Sequence, residues 1–357
     1  MAHPEIAARR LRSQQLFASP SREPAEAVRW LLALQAQDYP GAKWSLGLRL
    51  PGSRETTVEQ SIAEGSIYRT WLMRGTLHFV AEEDVHWLLA LLAPRLIAGS
   101  ARRYGELELD EATLIKSNDV VAQALQKQGP LERKALFTIL QQNGLSTAGQ
   151  RGIHMLQRAS LDGLVYQAGV RANQAIFALL GAPPSPLPGR EAALAELARR
   201  YFTSRGPATL QDFTWWSGLP VAEARAGLES IRSELVEVAF DGWTGWQALP
   251  VPPGDPLPPS VYLLPGFDEY LLAYKDRSAS LDYPHYRRRT PTNGMLPATI
   301  LVNGQVAGTW KRVIGKKGLQ VIPDFFEKPP EEDRRGFEAS VHQYADFLGL
   351  HATHPGE

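Results

Sequence analysis

The chain has 357 residues, of which 44% are hydrophobic and 21% are charged, and this composition excludes a wholly disordered or collagen-like protein. Basic and acidic side chains both number 38, so the net charge is zero. This balance argues against a strongly basic protein that coats nucleic acid nonspecifically, but it is compatible with a local basic groove. The sequence contains no cysteine, which excludes disulfides, thiolate nucleophiles and cysteine-ligated zinc.

Neither the N-terminal segment nor any apolar stretch predicts a membrane anchor. The first 30 residues lack the apolar core of a signal peptide. The longest apolar stretch, residues 86–97, is too short to cross a bilayer and contains Pro94 and Arg95. We therefore expect a soluble, cytoplasmic protein with no membrane role.

The first predicted unit, residues 1–115, contains three helices and a β-hairpin. Helices are predicted over residues 6–17, 24–35 and 57–65, and strands over residues 68–73 and 76–81 flank the turn Arg74-Gly75. Three helices and a hairpin are the elements of a winged helix, whose third helix commonly enters the major groove of DNA.

Two further units, residues 116–188 and 189–250, repeat this order of elements. In the first of them, helices are predicted over residues 118–127, 131–142 and 146–160, with strands at 164–168 and 175–180. In the second, helices are predicted over residues 191–203, 210–217 and 221–233, with strands at 235–240 and 243–249. A fixed unit in three tandem copies favours nucleic-acid binding over a structural or protein-binding winged helix.

The C-terminal region, residues 251–357, is predicted to be rich in strands. Short alternating runs cover residues 261–264, 271–274, 299–302, 306–310 and 319–322, and a terminal helix is predicted over residues 331–348. The turn Asn303-Gly304 is a strong hairpin signal. The predicted fold class is therefore α+β: three tandem winged-helix units, then a small β-barrel-like domain with a C-terminal helix.

One candidate site lies at the end of an apolar segment, in Leu34-Gln35-Ala36-Gln37-Asp38-Tyr39-Pro40. Residues two apart lie on different faces of a regular helix, so Gln35 and Gln37 can converge only where the helix ends. Pro40 disfavours helical geometry at the residue before it. The pattern predicts a pair of amides at a helix C-terminus, and an ordinary polar helix end is the alternative.

A second candidate site is the hairpin around Arg74-Gly75, where three cationic or titratable side chains alternate with aromatic ones. Arg69, Arg74 and His78 could form a wing that contacts phosphates, whereas a strand with one solvated face is the alternative.

Basic residues also occur beside aromatic ones at several places, a composition that suits contacts with the DNA backbone. The DNA-contact candidates outside the hairpin are Lys43, Trp44, Arg287, Arg288, Arg289, Lys311 and Arg312. Solvated surface is the alternative for each cluster. The phosphate-binding and metalloprotease signatures are missing and the eight histidines lack metal-ligand spacing outside the C-terminal tail, so we expect neither a cofactor nor a metal site.

Five further segments stand out in order along the chain: LQAQDYPGAKWSLGLRL at 34–50, RTWLMRGTLHFV at 69–80, RGPATLQDFTWWSGL at 205–219, LLPGFDEYLLAYKDRS at 263–278 and TILVNGQVAGTWKR at 299–312. Taken together, these segments resemble the AlkZ-like bacterial winged-helix DNA glycosylases and their YcaQ relatives. The resemblance implies tandem winged helices and a barrel-like domain that form a concave DNA-binding surface. It also implies monofunctional excision of alkylated purines, including the unhooking of interstrand crosslinks.

The catalytic Gln-x-Gln motif of that family falls on Gln35 and Gln37, so the chain resembles the Gln-x-Gln branch rather than the Gln-x-Asp one. An N7-alkylated guanine is cationic and leaves as a neutral base, so the enzyme must mainly stabilise the sugar cation and place a water. Neutral amides can orient that water, as a glutamine does in small GTPases. The negative end of the helix dipole at the predicted C-terminus would favour the developing cation.

The resemblance predicts a nucleoid-associated bacterial enzyme whose partner is double-stranded DNA carrying alkylated bases. Three DNA-contacting units in one chain make a monomer sufficient, so we expect a monomer. A noncatalytic winged-helix transcription regulator is the main alternative, because such a protein needs no glutamine pair. A protein-interaction scaffold is the third hypothesis, and it predicts no salt-dependent DNA binding.

Overall fold

A computed structural model describes residues 4–183, 186–240, 242–249, 257–281, 296–316 and 318–353. Helices and strands are mixed throughout, and the chain divides into two compact units. The first unit comprises Met1–Val58 and Ala195–Glu357, and the second comprises Glu59–Leu194. No helix within the described ranges is long and apolar enough to cross a membrane.

The first unit begins with α1 (Pro4–Ser13), α2 (Pro24–Leu31), the short strand β1 (Ala33–Gln35), α3 (Tyr39–Leu48) and the start of α4 (Glu55–Ala63). After the second unit it continues with the end of α10 (Arg190–Arg205), α11 (Leu210–Ser217), α12 (Val221–Ser230), β7 (Leu235–Phe240) and β8 (Trp243–Ala248). It ends with β9 (Val261–Leu264), α13 (Glu269–Leu272), β10 (Thr299–Val302), β11 (Gln305–Gly315), β12 (Gly318–Phe325) and α14 (Glu331–Leu348).

The second unit contains most of α4, the hairpin β2 (Ile67–Leu72) and β3 (Thr76–Ala81), α5 (Glu82–Gly99) and α6 (Ala101–Glu106). Then follow α7 (Glu111–Gln128), β4 (Leu131–Glu132), α8 (Arg133–Gln142), α9 (Arg151–Leu161), β5 (Val165–Arg171) and β6 (Gln174–Leu179). Five strands of this unit form a sheet in the order β3-β2-β5-β6-β4. The predicted hairpin about Arg74-Gly75 is confirmed, with Thr70 opposite His78.

The element order of α10 to β8 agrees closely with the sequence-based prediction, because clear local signals mark its boundaries. Thr209 caps α11 and forms a capping box with Asp212, and Gly218 ends the helix in a left-handed conformation. Pro220 then precedes α12. The three helices and hairpin of residues 116–188 are likewise present, whereas the assignment of winged-helix domains and of their boundaries stays a prediction.

The segment around residues 31–40 differs from its prediction. A helix was expected to run to Gln35, but α2 ends at Leu31, Leu32 has a φ of 62°, and β1 follows. A loop was expected after Tyr39-Pro40, but α3 begins there, with Pro40 in its first turn. Proline fits the first turn because its missing N–H would have no helical partner there.

The C-terminal region also corrects two expectations. Residues 271–274 do not form a strand, since α13 covers Glu269–Leu272. Strands β12-β11-β10-β9 form an antiparallel sheet in that order, and within the described residues this sheet does not close into a barrel. Helix α14 packs against β9, as shown by Ser340 Oγ donating to the carbonyl of Val261 at 2.7 Å.

Buried charges join the two stretches of chain that make the first unit. Arg10 of α1 is 1% exposed, lies 3.9 Å from Asp212 of α11 and stacks on the ring of Tyr274 at 3.5 Å. Its Nε also donates to the carbonyl of Pro207 at 3.0 Å. Partnered charges of this kind are rare in cores and are very sensitive to loss of one partner.

Candidate active site

The two glutamines of the motif lie at the junction between β1 and α3, which we call the glutamine loop (residues 35–38), and they differ in exposure. Gln35 is the last residue of β1 and is 9% exposed, whereas Gln37 is exposed in the turn before α3. The predicted position at a helix C-terminus is therefore wrong, because α2 has already ended at Leu31. The loop precedes the N-terminus of α3, where the helix dipole is positive, so the dipole cannot be what favours a cation there.

A buried ion pair fixes the backbone of this loop. The Oε1 atom of Glu269 accepts the backbone N–H of Gln35 at 3.0 Å. Its Oε2 atom accepts from Arg205 Nη2 at 2.7 Å and from the Trp216 indole at 3.0 Å. Because the side chains of Glu269 and Arg205 are both 0% exposed, these bonds form where water does not compete with them.

Arg205 also fixes the turn between α2 and β1. Its Nη1 donates to the carbonyl of Leu31 and its Nη2 donates to the carbonyl of Ala33, each at 2.8 Å. These two carbonyls flank Leu32, the residue whose positive φ ends the helix. The guanidinium therefore determines where α2 stops and where β1 presents Gln35.

A second buried ion pair anchors α3, the helix that follows the glutamine loop. Asp268 accepts from Arg49 Nη1 at 3.0 Å and Nη2 at 3.1 Å, from Ser45 Oγ at 2.6 Å and from the Tyr270 N–H at 2.8 Å. Burial alone would raise the pKa of Asp268, but the charge and hydrogen bonds of Arg49, with those of Ser45 and Tyr270, hold that pKa below its usual value. The carboxylate is thus ionised in the core.

Asp38, the residue after the motif, lines a cleft of about 340 Å³. The cations Lys311 and Arg312 of β11 line the same cleft. Lys311 is exposed, and Arg312 donates to the hydroxyl of Tyr344. Two of the predicted DNA contacts, Lys311 and Arg312, are thus brought close to the glutamine loop within the first unit.

Two other candidates of the first unit are buried. The Trp44 ring is 1% exposed, and its indole donates to the carbonyl of Leu263 at 2.7 Å, so Trp44 is a core residue rather than a surface contact. Lys43 is 5% exposed and forms an ion pair with Glu55 at 2.8 Å. This ion pair engages the ammonium group that was expected to contact DNA.

The three hairpin candidates lie in the second unit. Arg69 on β2 is 6% exposed and donates to Gln167 on β5. His78 on β3 is fully buried, with Nδ1 2.9 Å from the carbonyl oxygen of Thr76, which supports a structural role. Arg74 is half-buried at the turn. Arg287, Arg288 and Arg289 lie outside the described residues.

The family of the chain follows from its sequence as a whole. The family profile described as DNA glycosylase AlkZ-like matches residues 28–347. The chain belongs to the AlkZ-like family of DNA glycosylases. This family assignment favours an enzyme over the noncatalytic regulator and over the scaffold.

A comparison with curated proteins and one with solved structures agree with this family assignment, and both lead to AlkZ of Streptomyces sahachiroi. An "Interstrand DNA cross-link repair glycosylase" of Streptomyces sahachiroi is 24% identical over 337 residues, which cover 88% of this chain and 89% of that protein. The solved structure of Streptomyces sahachiroi DNA glycosylase AlkZ is 22% identical, with a TM-score of 0.78 over 99% of this chain and 100% of that one. The likeness to the solved structure shows that the two proteins share a fold.

The residues that hold the motif of the glycosylase were missed by sequence reasoning. Arg205, Glu269 and Asp268 all lie in segments quoted for the resemblance, but their partners are far away in the chain. A charged residue inside an apolar, aromatic segment was the available signal. Within the parts of the chain that the structure describes, no group of three or more histidine, aspartate or glutamate side chains could hold a metal ion.

Removal of the Glu269 carboxylate should strongly destabilise the first unit. Glu269→Ala leaves the Arg205 charge buried without its anion, so we expect the free energy of unfolding to fall by about 3–5 kcal/mol. Urea unfolding monitored by tryptophan fluorescence measures this change. Glu229→Ala on the exposed face of α12 is the matched control and should change stability by less than about 0.5 kcal/mol. Equal effects of the two substitutions would contradict the assignment.

The Asp268–Arg49 pair should make stability depend on acid pH. A lowered folded-state pKa adds stability that is complete above the unfolded value of about 3.9 and is lost as the pH falls through the folded-state pKa. Asp268→Asn should therefore cost about 3 kcal/mol at pH 7. The difference in the free energy of unfolding between the wild type and Asp268→Asn should become smaller below about pH 4, because protonated Asp268 is also neutral. Urea unfolding of both proteins at a series of pH values measures this difference, and a difference that does not change with pH would refute the prediction.

Proposed function

We propose that this glycosylase is monofunctional and hydrolyses the N-glycosidic bond of alkylated purines in double-stranded DNA. Its substrates are of the N7-alkylguanine type and include bulky adducts and interstrand crosslinks. The printed name of the Streptomyces sahachiroi relative supports the crosslink substrate. The observation that carries the proposal is the glutamine loop, in which Glu269 holds the backbone of Gln35 while Gln37 is exposed and the next residue, Asp38, lines a cleft that also contains Lys311 and Arg312.

The chemistry of the lesion matches what this loop can offer. An N7-alkylated guanine is already cationic, and it leaves as a neutral base without a strong general acid. The remaining barrier is the formation of a sugar cation and the capture of a water at C1′. Amide side chains can orient that water, and positioning of this kind contributes several kcal/mol to catalysis.

Features of the first unit support the finer parts of the proposal. Lys43 is the lysine nearest to the motif in sequence, and its ion pair with Glu55 agrees with direct hydrolysis rather than Schiff-base chemistry. The exposure of Gln37 suits a groove that accepts bulky lesions in place. A single chain supplies the loop and the cleft, so we propose that the enzyme acts as a monomer, on DNA in the bacterial nucleoid.

Truncation of Gln37 should abolish most of the excision. We expect Gln37→Ala to lower the single-turnover release of N7-methylguanine from a duplex oligonucleotide by about a hundredfold, because the water loses an orienting partner. Hot alkali cleaves the strand at the abasic product, and gel electrophoresis measures the cleaved fraction. Gln142→Ala, at the exposed end of α8, is the matched control. Full excision by Gln37→Ala, or a palindromic footprint without any excision, would reject the proposal.

Removal of the exposed cation in the cleft should weaken DNA binding and its salt dependence. The logarithm of the DNA association constant falls linearly with the logarithm of the salt concentration. In Lys311→Ala this negative slope should become shallower by about one, because one phosphate contact is lost. Fluorescence anisotropy between 50 and 200 mM salt measures this slope. Lys127→Ala, on the exposed end of α7, should leave it unchanged. An unaltered slope in Lys311→Ala would remove this residue from the DNA-binding surface.

A further inference from the structure

The carboxylate of Asp38 occupies a helix-capping position but does not act as a cap. Asp38 is the N-cap residue of α3, with extended backbone angles of φ −87° and ψ 97°. An aspartate at this position commonly accepts the N–H of the second or third helical residue. The second helical residue here is Pro40, which has no N–H, and the Asp38 side chain forms no capping hydrogen bond. Its oxygens therefore accept no capping hydrogen bond from α3.

The local sequence leaves room for this carboxylate beside the cleft. A Cβ atom built on Gly41 would lie 2.5 Å from Asp38 Oδ2, a distance that real Cβ contacts essentially never show. Any larger residue at position 41 would therefore displace the carboxylate. Asp38 and Gly41 both line the 340 Å³ cleft, and Asp38 is exposed.

The charge of Asp38 is opposite to the charge that suits a DNA-binding surface. Lys311 and Arg312 in the same cleft would attract phosphates, whereas a carboxylate there repels them. An anion next to Gln37 can, however, stabilise a positive charge that forms during the reaction. The sugar of the lesion nucleotide becomes such a cation when the glycosidic bond breaks, as in other glycoside hydrolyses.

We propose that Asp38 is a third catalytic residue, whose carboxylate stabilises the sugar cation and accepts a proton from the attacking water. This inference rests on the proposed function. As the bond from C1′ to the purine nitrogen breaks, its electron pair stays with the base and neutralises the alkylated ring. The water oriented by the glutamines then forms the new bond to C1′ and gives one proton to Asp38, which passes it to solvent.

The first test compares the excision of N7-methylguanine with the binding of the same DNA. Asp38→Asn keeps the size of the side chain and removes its charge, so we expect a loss of about a hundredfold in the single-turnover rate. DNA affinity should be equal or higher, because a negative charge has left the cleft. Asp110→Asn at the N-cap of α7 is the matched control, since Asp110 is exposed and does cap its helix through the N–H of Thr113. It should leave both quantities unchanged.

The second test uses DNA with a mimic of the sugar cation in place of the lesion nucleotide. Wild-type enzyme should bind a cationic pyrrolidine abasic analogue more tightly than a neutral tetrahydrofuran analogue, and Asp38→Asn should lose that preference. A purely structural role at the helix end would change stability without changing this ratio. Asp38→Ser, which places another residue type favoured at N-cap positions there and also removes the charge, serves as a second variant if Asp38→Asn has a low melting temperature.

The outcomes separate this inference from the proposed function. Excision by the wild type together with an unchanged rate and an unchanged preference in Asp38→Asn would overturn the role of Asp38 and leave the glycosylase activity standing. Lower DNA affinity in parallel with a lower rate would also overturn it, because Asp38 would then support DNA binding or the shape of the loop rather than the reaction itself. Failure of the wild type to release any N7-alkylated guanine would overturn both proposals.

Discussion

The ion pair between Glu269 and Arg205 is the constraint on which the arrangement of the first unit depends. Removing two charges from water costs several kcal/mol per ion, and the cost is recovered only if almost every donor and acceptor finds a partner. Glu269 therefore needs the N–H of Gln35 and the Trp216 indole, and Arg205 needs the carbonyls that flank Leu32. Each partner can occupy only a narrow range of positions. A network of this kind favours one conformation of the glutamine loop, because a shifted loop would leave buried polar groups without partners.

The sequence predicted those elements whose ends carry their own local signals. Thr209, Gly218 and Pro220 mark the boundaries of α11 and α12, and the hairpin turns follow from glycine and asparagine. The prediction failed where distant groups determine the backbone. The apolar run through residues 31–34 continues the pattern of α2, but two bonds from Arg205 end that helix at Leu31. The short helix α13 was mistaken for a strand because its residues are all buried, and burial on every side hides the helical period.

The groups that support the candidate site could not be predicted from the sequence. The resemblance points to Gln35 and Gln37, and their catalytic role stays a prediction; in the structure Gln37 is exposed and Gln35 is 9% exposed. Trp44 and His78 looked like surface contacts because a polar atom on a ring gives no indication of its burial; in the structure each ring is buried and has a backbone partner. Asp268 and Glu269 act across more than 200 residues of sequence, so neither spacing nor composition could have revealed their partners.

The first unit is made of two stretches, Met1–Val58 and Ala195–Glu357, and this has a consequence for the protein during its synthesis on the ribosome. Arg10 and Arg49 leave the ribosome long before Asp212 and Asp268, the carboxylates that neutralise them. The nascent N-terminal helices must therefore keep their guanidinium groups in water, and they cannot pack as they do in the finished protein. The backbone of the glutamine loop lacks its partner until Glu269 emerges. A chain released before that point would carry Gln35 and Gln37 without the buried carboxylate that accepts the N–H of Gln35, so an incomplete copy would lack the network that positions this loop.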